Sequence, residues 1–192
     1  MNKITDEIQD LVMSFRMVPL STTFQKMNRI VRDMSKKLNK EVELHIIGED
    51  TEVDKNIIEH ISDPLMHLVR NCIDHGLENP GDRIAKGKTK TGVVTLEAKS
   101  AGNDVLIVVK DDGRGLDREK ILKKARENNL ISKDSEEISD KEVFNLILLP
   151  GFSTKADISE FSGRGVGMDV VKMNIEEIGG SLMVDSIQDK GT

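Results

Sequence analysis

Asp111 closes the apolar run Val105-Leu106-Ile107-Val108-Val109 and is followed at once by Asp112-Gly113-Arg114-Gly115. A carboxylate at the end of a buried strand is costly unless it has a partner. The exocyclic amine of an adenine is such a partner, and Gly113 and Gly115 let the backbone turn and approach a base closely. Farther along, Gly163-Arg164-Gly165-Val166-Gly167 opens a helical pattern. Glycines at a helix N-terminus offer backbone N–H groups to phosphates. The run is not a Walker loop, which needs Gly-Lys-Ser/Thr, nor a Rossmann turn, which should follow a first strand.

Upstream, the stretch His67-Leu68-Val69-Arg70-Asn71-Cys72-Ile73-Asp74-His75-Gly76 has helical spacing. At about 100° per residue, Leu65, Leu68, Val69, Cys72 and Ile73 fall on one side. His67, Asn71, Asp74 and His75 fall on the other, with Arg70 beside them. A plain solvent face usually carries Lys and Glu, and this one has neither. His67 and His75 are two turns apart, about 12 Å, too far to share one zinc ion. Asn71 instead offers a carbonyl oxygen, which suits Mg²⁺. Lys120 and Lys124, one turn apart on a later helix, provide counter-charge with Arg164, while Lys123 reads as solvated. Each piece has a plainer reading: a polar helix face, a strand-to-helix turn with Asp117 as N-cap, a charged solvated helix. In this order they describe a nucleotide pocket.

The elements that must position these groups follow from hydrophobic periodicity. Ile4, Ile8, Leu11, Val12 and Phe15 make 1–16 an amphipathic helix, broken at Pro19, which biases Val18 toward extended backbone. A second helix runs from about Ser21 to Leu38. Alternation over Val42–Ile46 predicts a strand with one buried face. A helical pattern over 54–78 is interrupted at Asp63-Pro64, read as a restart with Asp63 as N-cap and Pro64 as first helical residue, and Gly76 ends it. Residues 79–92, rich in Pro, Gly and Lys, read as a loop. Val93–Lys99 and Asp104–Lys110 form a hairpin around 100–103. Helices follow over Asp117–Asn128, Asp140–Leu149 and Val166–Ile178. Between the last two, 150–165 reads as a mobile loop with the pattern of a lid, anchored by Phe152 and Phe161; the resemblance given below would extend that lid to 150–167. Ser181–Ile187 reads as a strand, and another would be expected after Thr192. Adjacent, hairpin-connected strands among helices predict an α+β, two-layer sandwich: a mixed sheet with helices on one face.

Composition narrows the function. The 192 residues are 37% hydrophobic and 32% charged, which is globular. Aromatics are 3%, with no Trp or Tyr, an argument against stacking platforms for single-stranded nucleic acid. The net charge of −6 argues against nucleic-acid partners generally, yet allows one anionic ligand in a locally basic pocket. Cys72, the single cysteine, excludes an internal disulfide and reads as a small buried hydrophobe. No apolar run approaches a membrane span of about 20 residues and no signal peptide is evident, so a cytoplasmic location without membrane insertion is expected.

The ordered set of the Asn71 helix, Asp111-Asp112-Gly113-Arg114-Gly115, a Phe-containing loop and Gly163-Arg164-Gly165-Val166-Gly167 resembles the Bergerat-fold ATP-binding family over residues 40–192. That family includes DNA gyrase, the heat-shock chaperone, histidine kinases and MutL. Within it, Asp63-Pro64-Leu65-Met66-His67 through Leu77-Glu78, Gly151-Phe152-Ser153-Thr154 and Ser162 through Val171 are similar to the chemotaxis histidine kinases. The resemblance implies that ATP and Mg²⁺ are bound, that Asn71 holds the metal and that Asp111 reads adenine. His67, Arg70, Asp74, His75, Lys120 and Lys124 would line the nucleotide with Gly113, Gly115, Gly163, Arg164, Gly165, Val166 and Gly167. His67 and Lys120 would assist transfer, His67 either as a proton acceptor or by positioning Asn71 and the metal's waters. Residues 1–17 would end a dimerisation helix and 18–192 form the kinase catalytic domain. Implied partners are a histidine-bearing phosphoacceptor domain of the same kinase and neighbouring dimerisation and regulatory domains, which could recruit it to membrane receptor arrays. Two other classes stand beside this: an ATPase clamp and a nucleotide sensor. The clamp enzymes place a Glu one turn before the Asn, where this chain has His67, which favours the kinase.

Overall fold

The computed structural model describes residues 16–131, 138–152 and 167–192. In chain order these form β1 (Met17–Pro19), α1 (Ser21–Leu38), β2 (Val42–Ile47), β3 (Glu52–Asp54) and α2 (Lys55–Asn71), which continues into a π turn (Cys72–Gly76). Then come α3 (Pro80–Ala85), β4 (Gly92–Ala101), β5 (Asp104–Asp111), α4 (Arg118–Glu127), α5 (Asp140–Asn145) with a 3₁₀ turn (Leu146–Leu148), and α6 (Met168–Glu177).

Helix α1 buries Thr23, Phe24, Met27, Val31 and Met34, spaced by one to four residues so that a single stripe faces inward. Its target is the sheet β2-β4-β5, in which β2 runs parallel to β4 and β4 antiparallel to β5. The mixed sheet of the sequence reading is therefore present. Val94, Leu96 and Ala98 of β4 lie at its centre, flanked by Val42, Leu44 and Ile46 of β2 and Val105, Ile107 and Val109 of β5. Ile61, Leu65, Val69 and Ile73 of α2 and its π turn, with Ile175 of α6, close the same core. Full burial of one such aliphatic side chain contributes about 1.5–3 kcal/mol, so the layer of helices is held chiefly by this face. Strand β1 pairs with β3, setting Met17 against Asp54.

A second apolar cluster lies apart from the first. It joins Ile121, Leu122 and Ala125 of α4 to Val143 and Phe144 of α5, Leu148, Phe152 and Val184, with Met168 and Leu182 packed on it.

Three expectations are corrected. Helix α2 does not restart at Asp63-Pro64 but runs through Pro64. Its N-cap is Asp54, whose side chain accepts from the Asn56 N–H at 2.8 Å. A proline inside a helix costs about 3 kcal/mol, and here burial of Ile61, Pro64, Leu65 and Val69 on the core side offsets it. Residues 79–92 are not all loop: Pro80 begins α3, and this short helix carries a buried arginine, Arg83. Ser181–Ile187 is not a strand. Its hydrogen bonds go to side chains and a turn, since Ser186 Oγ accepts from the Leu116 N–H at 2.8 Å and Ile187 bridges only to Gly191. The helix expected over 1–16 and most of the 150–167 lid, with Phe161, lie outside the described residues.

Candidate functional site

Asp111 is 3% exposed at the end of β5. Its Oδ1 accepts from the Gly113 N–H at 2.8 Å. Gly76, the last residue of the π turn, faces the same carboxylate so closely that a Cβ there would stand 2.8 Å from Oδ2. A Cβ on Gly113 would stand 2.1 Å from the Gly76 carbonyl oxygen. These two glycines are therefore needed for the α2 and β5 backbones to meet, so Gly76 does more than stop a helix. Burial pushes the Asp111 carboxyl above its ordinary range, opposed by the Gly113 N–H. Gly115 adopts φ +67 and packs on the Ile187 carbonyl, a conformation glycine takes without strain. The Cys72 thiol is pushed well up by burial and by the Asp111 charge, so it stays protonated, consistent with an inert small hydrophobe.

The polar face of α2 carries His67, Arg70 and Asn71, and the π turn carries Asp74 and His75. Asn71 Nδ2 donates to Met168 Sδ at 3.2 Å. That bond uses the amide NH₂ and leaves the carbonyl oxygen Oδ1 out of it. His67 is half-buried; desolvation first, then the nearby Arg70 and His75 charges, hold its imidazole below the ordinary value of 6.5. It is neutral at neutral pH. His75 is exposed, with Nε2 3.5 Å from Asp74 Oδ2.

Two buried cations were not found from sequence. Lys40 Nζ donates to the carbonyls of Ile73, Asp74 and Leu77 at 2.7, 2.9 and 2.8 Å. These are carbonyls at the end of a helix, where a cation is favoured, so Lys40 caps the π turn from the loop after α1. Arg83 is 1% exposed. It donates to Glu78 Oε2 at 3.2 Å, Asp112 Oδ2 at 2.7 Å and the Thr89 carbonyl at 2.8 Å. Asp112 Oδ1 in turn accepts from the Val93 N–H at 2.9 Å. Of the paired acids Asp111-Asp112, one thus faces Gly76 while the other is bound into a structural ion cluster. Loop lysines and arginines near turns look solvated in a sequence; the acidic partner Glu78, directly after the Asn71 helix, was the one available signal.

Lys120 and Lys124 lie on α4, within the second cluster's elements. Lys120 is 84% exposed and its Nζ stands 3.1 Å from Asp117 Oδ2. Lys124 lies over the Phe152 ring, 5.2 Å from its centroid. Gly167 is the N-cap of α6, which places the end of the glycine motif beside Met168 and hence beside Asn71. Gly163, Arg164, Gly165 and Val166 lie outside the described residues. Among the described residues no group of three or more His, Cys, Asp or Glu could hold a metal ion, so a cation here would depend on oxygens from a ligand and on an amide such as Asn71. Among them, too, no helix is long and apolar enough to cross a membrane.

Comparisons with known proteins give the family of the chain. Residues 60–192 match the family model described as histidine kinase-, DNA gyrase B-, and HSP90-like ATPase. The chain is 48% identical to chemotaxis protein CheA of Bacillus subtilis, over 100% of this chain and 29% of that protein. It is 52% identical to chemotaxis protein CheA of Klebsiella aerogenes, over 97% of this chain and 28% of that protein. Sensor histidine kinase CheAY of Helicobacter pylori is 49% identical over 98% of this chain and 24% of its own length. The chain thus spans less than a third of the curated relatives it matches. Among solved structures, the catalytic domain of histidine kinase ThkA in a nucleotide-free form superposes with a TM-score of 0.56 at 16% identity, covering 91% of this chain and 88% of that one. That likeness is one of fold.

Proposed function

Since the chain belongs to the histidine kinase-, DNA gyrase B-, and HSP90-like ATPase family, we propose that it is the ATP-binding catalytic domain of a chemotaxis-type histidine kinase. In this reading it holds Mg-ATP between α2 and the turn after β5 and serves transfer of the γ-phosphate to a histidine on a separate domain. The observation that carries it is the buried Asp111 carboxylate, boxed by Gly76 and Gly113 where a Cβ would collide. Such a carboxylate is stabilised by a hydrogen-bond donor from a ligand, and the two glycines let the α2 and β5 backbones close around it.

Bound Mg-ATP supplies the transferable phosphoryl group, with the metal neutralising charge on its oxygens. The chain's own residues then have separable tasks. Asp111 accepts from the adenine amine. Asn71 Oδ1 would hold the metal. Arg70, Asp74, His75 and the helix start at Gly167 border the phosphates, and we assign Lys120, Lys124, Gly163, Arg164, Gly165 and Val166 to the same end. His67 sits one turn before Asn71 as a neutral imidazole. It either accepts a proton from the incoming histidine or orients the groups around it. One turn before Asn71, where the clamp enzymes place a Glu, α2 carries His67 and not a carboxylate, which supports transfer over hydrolysis.

Residues 18–192 are on this reading the catalytic domain and 1–17 the end of a dimerisation helix. The phosphoacceptor, dimerisation and regulatory domains belong to the remainder of a longer cytoplasmic kinase. The test is to mix the chain with labelled ATP, Mg²⁺ and isolated histidine-bearing domains. Label on one such domain, abolished by Asp111→Asn, supports the kinase. Hydrolysis with no transfer to any of them would favour an ATPase clamp.

A further inference from the structure

Behind the turn that follows β5, on the side away from the Asp111 carboxylate, lies Lys88. Its Nζ donates to the Asp112 carbonyl at 2.9 Å, the Gly113 carbonyl at 2.6 Å and Glu78 Oε1 at 2.9 Å. Arg83 Nη1 reaches the same Asp112 carbonyl at 3.3 Å and the other Glu78 oxygen at 3.2 Å.

A peptide unit is planar and trans, so its C=O and N–H point in opposite directions. The Asp112 carbonyl shares a plane with the Gly113 N–H, which donates to Asp111 Oδ1. The Gly113 carbonyl shares a plane with the Arg114 N–H, which donates to the Gly76 carbonyl at 2.9 Å. One ammonium therefore grips the rear of two successive peptide planes. The front of the first fixes the carboxylate, and the front of the second fixes Gly76, the residue that walls it. Glu78 aims that ammonium; burial works against its charge, yet Lys88 and Arg83 hold its carboxyl below the usual range.

We propose that Lys88 is a positioning residue for purine recognition: by orienting the Asp112–Gly113 and Gly113–Arg114 peptides it sets where Asp111 meets the base, and it confers adenine over guanine selectivity without touching the nucleotide. This rests on Asp111 as the adenine contact. Lys88 is accessible enough to be replaced, its side chain being 17% exposed beside an open cleft of about 300 Å³ lined by Arg83, Lys88, Thr89, Asp112, Asp189 and Lys190. Water can fill the space it leaves.

The experiment compares ADP and GDP affinities by calorimetry for the wild-type chain, Lys88→Met, Lys88→Arg and Asp111→Asn, with melting temperatures alongside. Lys88→Met is expected to lose about tenfold in ADP affinity, the scale of one charge-assisted hydrogen bond passed on to the carboxylate. GDP affinity should hardly move, so the ADP:GDP ratio falls, and Lys88→Arg should restore much of it. A merely structural lysine would lower the melting temperature and leave that ratio unchanged, which overturns the proposal. If Lys88→Met does not fold, Glu78→Gln keeps Lys88 but removes the carboxylate that aims it, and the ratio must fall there too; an unchanged ratio in that variant is equally fatal. A wild-type ratio that collapses in Asp111→Asn but survives Lys88→Met refutes Lys88 alone. A wild-type chain with no ADP preference refutes the Asp111 reading and the proposal together.

Discussion

Asn71 and Met168 are 97 residues apart in the chain, yet the Asn71 amide donates to the Met168 thioether at 3.2 Å. The contact ties the polar face of α2 to the first residue of α6, immediately after the glycine motif. It also joins the two apolar clusters, since Met168 packs on the second while α2 closes the first.

Asn71→Ala should abolish the Mg²⁺-dependent part of ATP affinity while leaving adenine contacts in place. Phosphotransfer depends on metal and charge placement, so turnover with an added histidine-bearing domain should fall much further than binding. A weak hydrogen bond to sulfur is lost as well, so the melting temperature should drop only slightly. Wild-type turnover would remove Asn71 from the metal.

Asp111→Asn should trade binding for stability. The folded carboxyl is raised above 3.8, chiefly by burial. Between 3.8 and the folded value the native state binds more protons than the unfolded one, so stability falls as pH rises through that window and the charge is a cost above it. The amide removes that cost. Without nucleotide, the variant should melt higher than wild type at neutral pH, while ADP affinity drops by about 2 kcal/mol or more from the mismatched contact. Undiminished ADP binding would show that Asp111 does not read the base.

His67→Gln separates proton transfer from positioning. The folded imidazole titrates below 6.5, so the unfolded state binds the proton first. Stability from the neutral ring is present above the unfolded value and is lost as pH falls through the folded one. A base would make phosphotransfer decline across the same acidic limb. Gln keeps a hydrogen-bonding group but does not titrate there. The expected variant binds ATP nearly normally, loses transfer and shows no acidic limb; retained transfer with the wild-type pH profile would leave only positioning.

Gly113→Ala tests the meeting of the two backbones. A Cβ there would lie 2.1 Å from the Gly76 carbonyl oxygen and 2.8 Å from Asp111 Oδ1. Backbone must move, at a cost of about 1–3 kcal/mol. Denaturant unfolding should report that loss, with ADP binding lost alongside; a variant as stable as wild type would mean the turn has another conformation open to it.

Much of the fold is legible in the sequence. Helices α1 and α4 fall where the apolar spacing and Asp117 put them, because periodicity and caps are local properties. The hairpin β4-β5 was readable for the same reason, and the runs around Asn71 and Asp111 stand out as short stretches of unusual residue types. What escaped depended on distant partners. Pro64 reads as a helix start locally, and only the core beneath Ile61, Leu65 and Val69 makes it interior. Ser181–Ile187 has strand-like alternation but no neighbour to pair with among the described residues. Lys40, Arg83 and Lys88 resemble ordinary loop cations until the chain folds them onto carbonyls and Glu78.

The π turn at Cys72–Gly76 has one further consequence. Its closing bond runs from the Leu77 N–H to the Cys72 carbonyl at 2.7 Å, five residues back, where an α-helix would span four. The helix therefore holds one residue in surplus, and Lys40 donates to the Ile73, Asp74 and Leu77 carbonyls at its end. Deleting a single residue there would restore α spacing and improve the helix as a helix, while carrying Gly76 away from Asp111. The length of this stretch, and not only its letters, then sets the site: losing one residue here should impair it even where every remaining side chain is kept.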